Sequence, residues 1–137
     1  MTGLSASGGA GAAALDGLRI LVVEDEPLIA LQLEIVFEDA GADVLLSRKV
    51  SHAMDLIETR RIDAAILDVN LGSGITCEPI AERLRAKGIP FALHSGDLAR
   101  LGELVVEIGA PVLSKPASEA SLLAAVAALV PAGPQLS

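Results

Sequence analysis

Ala64-Ala65-Ile66-Leu67-Asp68 is a run of four apolar residues that ends in a carboxylate. A strand buried on both faces of a parallel sheet has this continuous apolar composition. The run Ile20-Leu21-Val22-Val23 has the same composition and ends in the acidic pair Glu24-Asp25. Ligands of open α/β sheets bind beyond the carboxyl ends of the strands. The two runs therefore predict a parallel sheet with acidic residues gathered at one edge.

Outward from these runs, strand-length apolar stretches alternate with stretches of helical spacing. Parallel strands need crossover helices on both faces of the sheet, so the alternation predicts a three-layer α/β domain. The predicted strands are residues 19–23, 43–46, 63–67, 90–94 and 111–114. The predicted helices are residues 27–40, 51–60, 76–87, 98–108 and 118–130.

The length of 137 residues predicts one domain. Residues 1–17 are mostly Gly, Ala and Ser, and we expect them to form a flexible tail. The folded domain is then expected over residues 18–131, with residues 132–137 as a C-terminal tail.

The composition excludes several classes of function. The formal net charge of −8 disfavours contact with a phosphate backbone, so we expect no nucleic-acid partner. The apolar segments are strand-length or alanine-rich, so we expect no membrane span. A single cysteine, Cys77, rules out an intrachain disulfide and fits a cytoplasmic location.

The acidic residues predict a metal site if the first and third strands are neighbours. Glu24, Asp25 and Asp68 would then meet, and their repulsion would be relieved by a divalent cation. Oxygen ligands select Mg²⁺ or Mn²⁺. We expect Asp25 and Asp68 to bind the ion directly, Asn70 through its backbone carbonyl, and Glu24 through a water molecule.

The same edge predicts phosphoryl chemistry with Asp68 as the nucleophile. Lys115 follows the fifth strand and Ser95 ends the fourth, so both side chains can bind phosphoryl oxygens. Phosphoryl transfer needs mainly such positioning and charge stabilisation. Each signal alone is common in loops, but acids and a lysine at successive strand ends make a specific pattern.

In combination these motifs resemble the receiver domain of two-component response regulators, over about residues 17–131. The resemblance implies a flavodoxin-like (CheY-like) doubly wound fold with five parallel strands in the order 2-1-3-4-5. It also implies that Asp68 accepts phosphate, that Glu24 and Asp25 organise Mg²⁺, and that Ser95 and Lys115 form the switch. The motifs are Leu21-Val22-Val23-Glu24-Asp25-Glu26-Pro27, Ala65-Ile66-Leu67-Asp68-Val69-Asn70-Leu71, Leu93-His94-Ser95-Gly96 and Leu113-Ser114-Lys115-Pro116.

The function implied by the resemblance is a phosphoacceptor in a two-component phosphorelay. The partner would be a histidine kinase or a histidine phosphotransfer protein, and we expect no output domain in this chain. The protein would catalyse only its own phosphorylation and dephosphorylation, so it is not expected to be an enzyme in the ordinary sense. Residues 85–93 and Asn70-Leu71-Gly72 further resemble a stand-alone alphaproteobacterial subgroup whose fourth strand reads Pro-Phe-x-Phe-Ala-Thr-Gly.

Three positions modify this expectation. Receivers commonly carry an aromatic switch residue three positions before the lysine, where this chain has Val112. Gly102 predicts a short or irregular fourth helix, because glycine disfavours helix interiors. Asp97, two residues beyond Ser95, and Asn70 are expected to position water and shorten the lifetime of the phosphate.

Two apolar surfaces and one histidine are open to two interpretations. Leu28, Leu31 and Ile35 form a second stripe on the first helix, which we interpret as part of a broad buried face rather than as a docking surface. The apolar excess in the fourth and fifth helices predicts a face that binds a partner or a second copy of the chain. His94 is interpreted as a packed strand residue rather than a proton-transfer group.

Other functions remain as alternatives. A phosphate-independent adaptor with a receiver fold is one, and Val112 favours it. A receiver fragment of a larger hybrid kinase or regulator is another. A haloacid-dehalogenase-like phosphatase would need a second aspartate two residues after the nucleophile, where this chain has Asn70.

Overall fold

The structure is a computed structural model that describes residues 14–96 and 98–130. Strands and helices alternate along this part of the chain, and each begins or ends within about two residues of its predicted limit. In chain order they are β1 (Arg19–Val23), α1 (Pro27–Asp39), β2 (Asp43–Ser47), α2 (Val50–Thr59), β3 (Ala64–Asp68), α3 (Glu78–Ala86), β4 (Phe91–Ser95), α4 (Leu98–Ile108), β5 (Val112–Ser114) and α5 (Glu119–Leu129).

The five strands form one parallel sheet in the order β2-β1-β3-β4-β5. This confirms the predicted doubly wound fold. Val23 of β1 lies opposite Leu67 of β3, so Glu24 and Asp68 follow at the same level of the sheet. The chain order reverses between β1 and β3, and this switch point is where open α/β sheets bind their ligands.

Two apolar layers hold the helices to the sheet. One layer joins the sheet to α1 and α5, and Phe37, Leu122 and Val126 are buried in it. The other joins it to α2, α3 and α4, and it includes Ile57 and Leu84. The three-layer arrangement follows from strands that are apolar on both faces.

Local sequence signals explain the limits of the helices beside the acidic edge. Pro27 is the first residue of α1, where its fixed φ suits the first turn and its missing N–H needs no partner. Gly41, just after that helix, has a φ of 98° and allows the chain to turn into β2. The Ser118 hydroxyl caps α5 by accepting the N–H of Ser121.

The fourth helix corrects one expectation. Despite Gly102, α4 is continuous over the 11 residues Leu98–Ile108. Leu104 and Val105 pack partly against the core, and Ile108 is buried. These contacts with the sheet outweigh the low helix propensity of one glycine.

The N-terminal limit of the folded domain also needs correction. We predicted Leu15 to lie in a flexible tail over residues 1–17, but it is fully buried in the layer beneath α1. Its N–H donates to the carbonyl of Ala40 at 2.9 Å. The packed domain therefore begins before residue 18, because one leucine covers the end of α1.

The second apolar stripe of α1 is exposed, contrary to our interpretation of a broad buried face. Leu28 is 81% exposed, and Leu31 and Ile35 are each 49% exposed. The stripe belongs to the side of α1 that turns away from the sheet, whereas Leu33 and Phe37 face the core.

Most of the large apolar side chains described on α4 and α5 pack against the core. Leu122 and Val126 of α5 are buried, and Leu123 and Leu129 pack partly against the core. Among the side chains described in this region, which exclude those of residues 97–101, the large apolar ones that are exposed are Val106 and Val112. No helix in the described part of the chain has both the length and the apolar character needed to cross a bilayer.

Candidate active site

Four ionisable side chains lie in a row on one face of the sheet, at the carboxyl ends of adjacent strands. Each stands two residues after an apolar residue of the layer beneath α1 and α5. Side chains two residues apart on an extended chain point to the same side, so core packing fixes the direction of all four. The pairs are Val22 and Glu24, Ile66 and Asp68, Ala92 and His94, and Leu113 and Lys115.

Lys115 joins the two acids of this row. Its Nζ lies 3.1 Å from each carboxylate oxygen of Glu24 and 3.3 Å from Oδ1 of Asp68. Glu24 is 1% exposed and Asp68 is 5% exposed, so the charges interact with little screening by water. Lys115 is therefore held as the shared counter-ion of both carboxylates.

The surroundings shift the pKa of both Asp68 and Lys115. Burial, together with the neighbouring Glu24 carboxyl, raises the pKa of Asp68 to about 8, although Lys115 opposes the shift. Burial alone would lower the pKa of Lys115, but the charge of Asp68 and the contact with Glu24 outweigh it, and the pKa is raised. Asp68 therefore needs a further positive charge to be fully ionised at neutral pH.

The loop after β3 brings glycine against the third acid. Gly72, Ser73 and Gly74 have φ values of 92°, 55° and 78°, which make a tight turn. A Cβ at Gly72 would lie 3.2 Å from Oδ2 of Asp25. The side-chain oxygen of Asn70 accepts the N–H of Gly72 at 2.9 Å and fixes this approach.

The three acids fit a divalent cation. Glu24, Asp25 and Asp68 each offer a carboxylate oxygen, and these oxygens lie within 4.8 Å of one another. An all-oxygen set of this charge suits Mg²⁺ or Mn²⁺. A cavity of about 330 Å³ opens above Asp25 and Asp68, which leaves space for water and a phosphoryl group beside an ion.

The sequence matches the family of response regulator receiver domains over residues 20–127. The chain belongs to this family. Among curated proteins, none matches the sequence closely.

Solved receiver structures share this fold. The response regulator PhyR from Brucella abortus is 26% identical with a TM-score of 0.73, over 90% of this chain and 52% of that one. This receiver thus spans about half the length of PhyR. A CheY-like receiver domain from Methylobacillus flagellatus is 27% identical with a TM-score of 0.71, over 82% of this chain and 98% of that one.

A third neighbour shares the fold and holds a metal. It is the receiver domain of the sensor histidine kinase PA1611 from Pseudomonas aeruginosa, with a magnesium ion coordinated in its active-site cleft. It is 24% identical with a TM-score of 0.75, over 82% of this chain and 97% of that one.

The receiver brings together most of the residues predicted for its site. One cavity is lined by Asp25, Asp68, Asn70, Ser95 and Lys115. Glu24 is not among the lining residues, because it is buried beside Lys115 and Asp68.

One other predicted residue lies outside that cavity. Val112, at the aromatic position of other receivers, is on β5 opposite Leu93 and is 37% exposed. Asp97 lies outside the described residues, so its expected part in dephosphorylation stays a prediction.

Four residues that line the cavity were not predicted from the sequence as site residues. They are Glu26, Ile29, Gly72 and Gly96. Gly72 had a detectable signal, because a glycine so soon after a strand-end aspartate often marks close approach of the backbone to a ligand. Ile29 gave no such signal, since it fitted the buried face of α1.

Proposed function

We propose that this receiver is a phosphoacceptor, and that Asp68 takes the phosphoryl group of a phosphohistidine. The observation that supports this most is the pairing of Asp68 with Lys115 at the floor of an open cavity. The ammonium group of a buried lysine that pairs with a carboxylate can also pair with the negative oxygens of a group attached to that carboxylate. A structural ion pair would not need an adjoining cavity of this size.

The transfer is a substitution at phosphorus. A carboxylate oxygen of Asp68 forms a bond to phosphorus as the bond from phosphorus to the donor nitrogen breaks, and the electron pair of that bond leaves with the imidazole. The product is an acyl phosphate on Asp68. Lys115 and Ser95 then bind phosphoryl oxygens that the carboxylate did not have before.

A divalent cation, Mg²⁺ by preference, completes the proposed site. Asp25 and Asp68 would hold it, with the Asn70 carbonyl as a further ligand and Glu24 acting through water. When bound, the ion supplies positive charge that ionises Asp68 and neutralises the phosphoryl oxygens. The acidic oxygens within 4.8 Å of one another support this, as does the magnesium ion in the PA1611 receiver.

The test is incubation with acetyl phosphate and Mg²⁺, followed by the intact mass of the protein. We expect a gain of one phosphate that disappears in Asp68→Asn and when EDTA replaces Mg²⁺. Asp63→Asn is a matched control, since Asp63 lies just before the opposite end of β3 and its carboxylate accepts the N–H of Arg19. Loss of phosphate in both variants, or in neither, would contradict Asp68 as the acceptor.

We also propose that the protein that donates phosphate, a histidine kinase or a histidine phosphotransfer protein, covers the exposed stripe of α1. The helix begins two residues after Asp25, and Ile29 on its first turn lines the cavity. Leu28, Leu31 and Ile35 thus continue from the site along one side of the same helix. A donor helix laid on this stripe would bring its phosphohistidine over Asp68.

An adaptor that works without phosphate is the second candidate, and Val112 favours it. An aliphatic, partly exposed side chain on β5 cannot perform the ring movement of an aromatic switch. Absence of phosphate gain with acetyl phosphate and with candidate kinases would favour the adaptor.

The proposed partner face on α4 and α5 is tested by the oligomeric state with and without phosphodonor.

A further inference from the structure

His94 is a buried histidine that has no role in the proposed phosphoryl transfer. It lies on β4 directly opposite Asp68 of β3 and is 3% exposed. Within residues 14–96 and 98–130, neither of its ring nitrogens has a hydrogen-bond partner. Buried polar atoms are nearly always paired, so an imidazole with two unpaired nitrogens beside a reactive carboxylate calls for an explanation.

The closest potential hydrogen-bond partner of His94 is a carboxylate oxygen that also lacks a hydrogen bond. Oε1 of Glu24 lies 3.9 Å from Nδ1 of His94 and is itself buried without a hydrogen bond. Lys115 reaches Oε1 at 3.1 Å by charge attraction, but its hydrogen bond goes to Oε2. One buried acceptor and one potential donor therefore face each other about 1 Å beyond hydrogen-bond distance.

The protonation of His94 suits a donor. Burial lowers its pKa, the charge of Lys115 lowers it further, and Glu24 opposes both effects. A neutral imidazole carries one N–H and one acceptor nitrogen, and a neighbouring carboxylate favours the tautomer with N–H on the facing nitrogen.

Phosphorylation of Asp68 would change the partners of Glu24. Lys115 is shared between Glu24 and Asp68 in the free protein. A phosphoryl group on Asp68 presents more negative charge than the carboxylate it replaces and attracts the ammonium group more strongly. Glu24, at 1% exposure, would keep the N–H of Glu26 on Oε2, but its buried Oε1 would need another donor.

Resting on the proposed phosphoacceptor function, we propose that His94 is a positioning residue that replaces Lys115 as the partner of Glu24. When the phosphoryl group draws Lys115 away, Nδ1–H of His94 donates to Oε1 of Glu24. The carboxylate of Glu24 stays fixed at the edge of the site, and β4, which carries both His94 and Ser95, moves toward it. Asp68 and its phosphate are thereby linked to β4 without an aromatic switch.

The test is nitrogen-15 NMR of the histidine rings with and without beryllium fluoride, which imitates a phosphoryl group on aspartate, in Mg²⁺. The chain has two histidines, and His52 is exposed on α2, so it serves as an internal reference. We expect Nδ1 of His94 to take the shift of a hydrogen-bonded N–H and its proton to exchange slowly. His52 should keep its signals, and Asp68→Asn should show no change at His94.

Failure of this proposal is distinguishable from failure of the phosphoacceptor function. Fluorine-19 NMR reports whether beryllium fluoride binds at Asp68. Binding with unchanged His94 signals, or with the proton on Nε2, overturns only the role of His94. No binding, together with no phosphate gain from acetyl phosphate, overturns both.

Two substitutions separate a hydrogen bond from packing. The amide nitrogen of Asn occupies the place of Nδ1, whereas Leu has similar bulk and no donor. We expect His94→Leu to weaken beryllium fluoride binding about tenfold, the effect of one charge-assisted hydrogen bond, and His94→Asn to restore most of it. Equal losses in both variants, or no loss in His94→Leu, would overturn the proposal.

Discussion

At the scale of single residues, the raised pKa of Asp68 makes the stability of the metal-free protein depend on pH. The pKa of Asp68 is about 8 in the folded chain, against an ordinary value of 3.8. Between these values the folded protein binds a proton that the unfolded chain has released, so stability falls as pH rises. Each pKa unit corresponds to about 1.4 kcal/mol.

We therefore expect the free energy of unfolding to decrease by on the order of 3 kcal/mol from pH 5 to pH 8 in EDTA. Asp68→Asn should lose most of this dependence and be the more stable protein at pH 8. Urea unfolding followed by circular dichroism measures both quantities. Parallel pH profiles for the two proteins would show that Asp68 is not the titrating group, and Mg²⁺ should flatten the wild-type profile.

Gly72 offers a second prediction at this scale. Gly72→Ala combines a strained φ of 92° with a Cβ 3.2 Å from Oδ2 of Asp25, so it should displace that carboxylate. We expect a loss of about 1 kcal/mol in stability and a weaker affinity for Mn²⁺ or Mg²⁺. Calorimetric titration with the metal measures the affinity.

Gly74→Ala is the matched control for Gly72→Ala. Gly74 has a similar φ of 78°, but nothing lies within 4 Å of a Cβ there. It should lose comparable stability and keep its metal affinity. If Gly74→Ala weakens metal binding as much, strain in the loop and not contact with Asp25 explains the effect.

The sequence could predict that acids and a lysine gather at one edge because strand ends carry them. Asp25, Asp68 and Lys115 each follow an apolar run, and the geometry of parallel sheets then brings them to one edge. His94 and Glu24 could not be predicted as a pair. Their relation depends on a distance of 3.9 Å between side chains 70 positions apart, and this distance is set by the packing of both faces of the sheet.

At the scale of elements, α1 carries the clearest unpartnered surface. Leu28 is 81% exposed beside the site, and Val106 on α4 is 80% exposed. We expect Leu28→Gln to slow phosphoryl transfer from a phosphohistidine donor by about 3–10-fold, the range of a moderate interface residue, and to leave labelling by acetyl phosphate unchanged. Transfer assays with radioactive phosphate measure both rates.

Val106→Gln replaces an apolar side chain of similar fractional exposure and should affect neither rate. If Leu28→Gln slows acetyl phosphate labelling as much as transfer from the protein donor, Leu28 acts on the site itself. Equal slowing of donor transfer by Val106→Gln would place the docking surface on α4.

The limits of helices and strands were predictable because Pro27, Gly41 and Ser118 mark them locally. The faces of the helices were harder to predict. Spacing showed two apolar stripes on α1, but only the position of the sheet decides that Leu33 is buried and Leu31 exposed. On α5 as well, only the position of the sheet decides that Leu122 and Val126 point inward.

At the scale of the whole molecule, Leu15 connects the N-terminal segment to the core. It is fully buried, so Leu15→Ala should lower the free energy of unfolding by about 2–4 kcal/mol. Its neighbour Asp16 is exposed, and Asp16→Ala should change stability by less than about 0.5 kcal/mol. Denaturant unfolding distinguishes the two, and equal stability of both variants would contradict the packed position of Leu15.

Composition could not reveal this contact. A segment of Gly, Ala and Ser has the composition of a disordered tail, and one leucine changes its mean hydropathy very little. The site for Leu15 exists only after α1 and β1 have packed together, so the sequence of the segment alone could not predict that Leu15 is buried.

The row formed by Glu24, Asp68, His94 and Lys115 restricts how this protein can change over generations. All four point to one side because each stands an even number of positions from a core residue of its own strand. Losing or gaining one residue inside any of these strands would turn its ionisable group to the opposite side and expose its apolar neighbours. Inherited changes in length are therefore confined to the loops, whereas the chemistry of the site can diverge only by replacing one side chain with another.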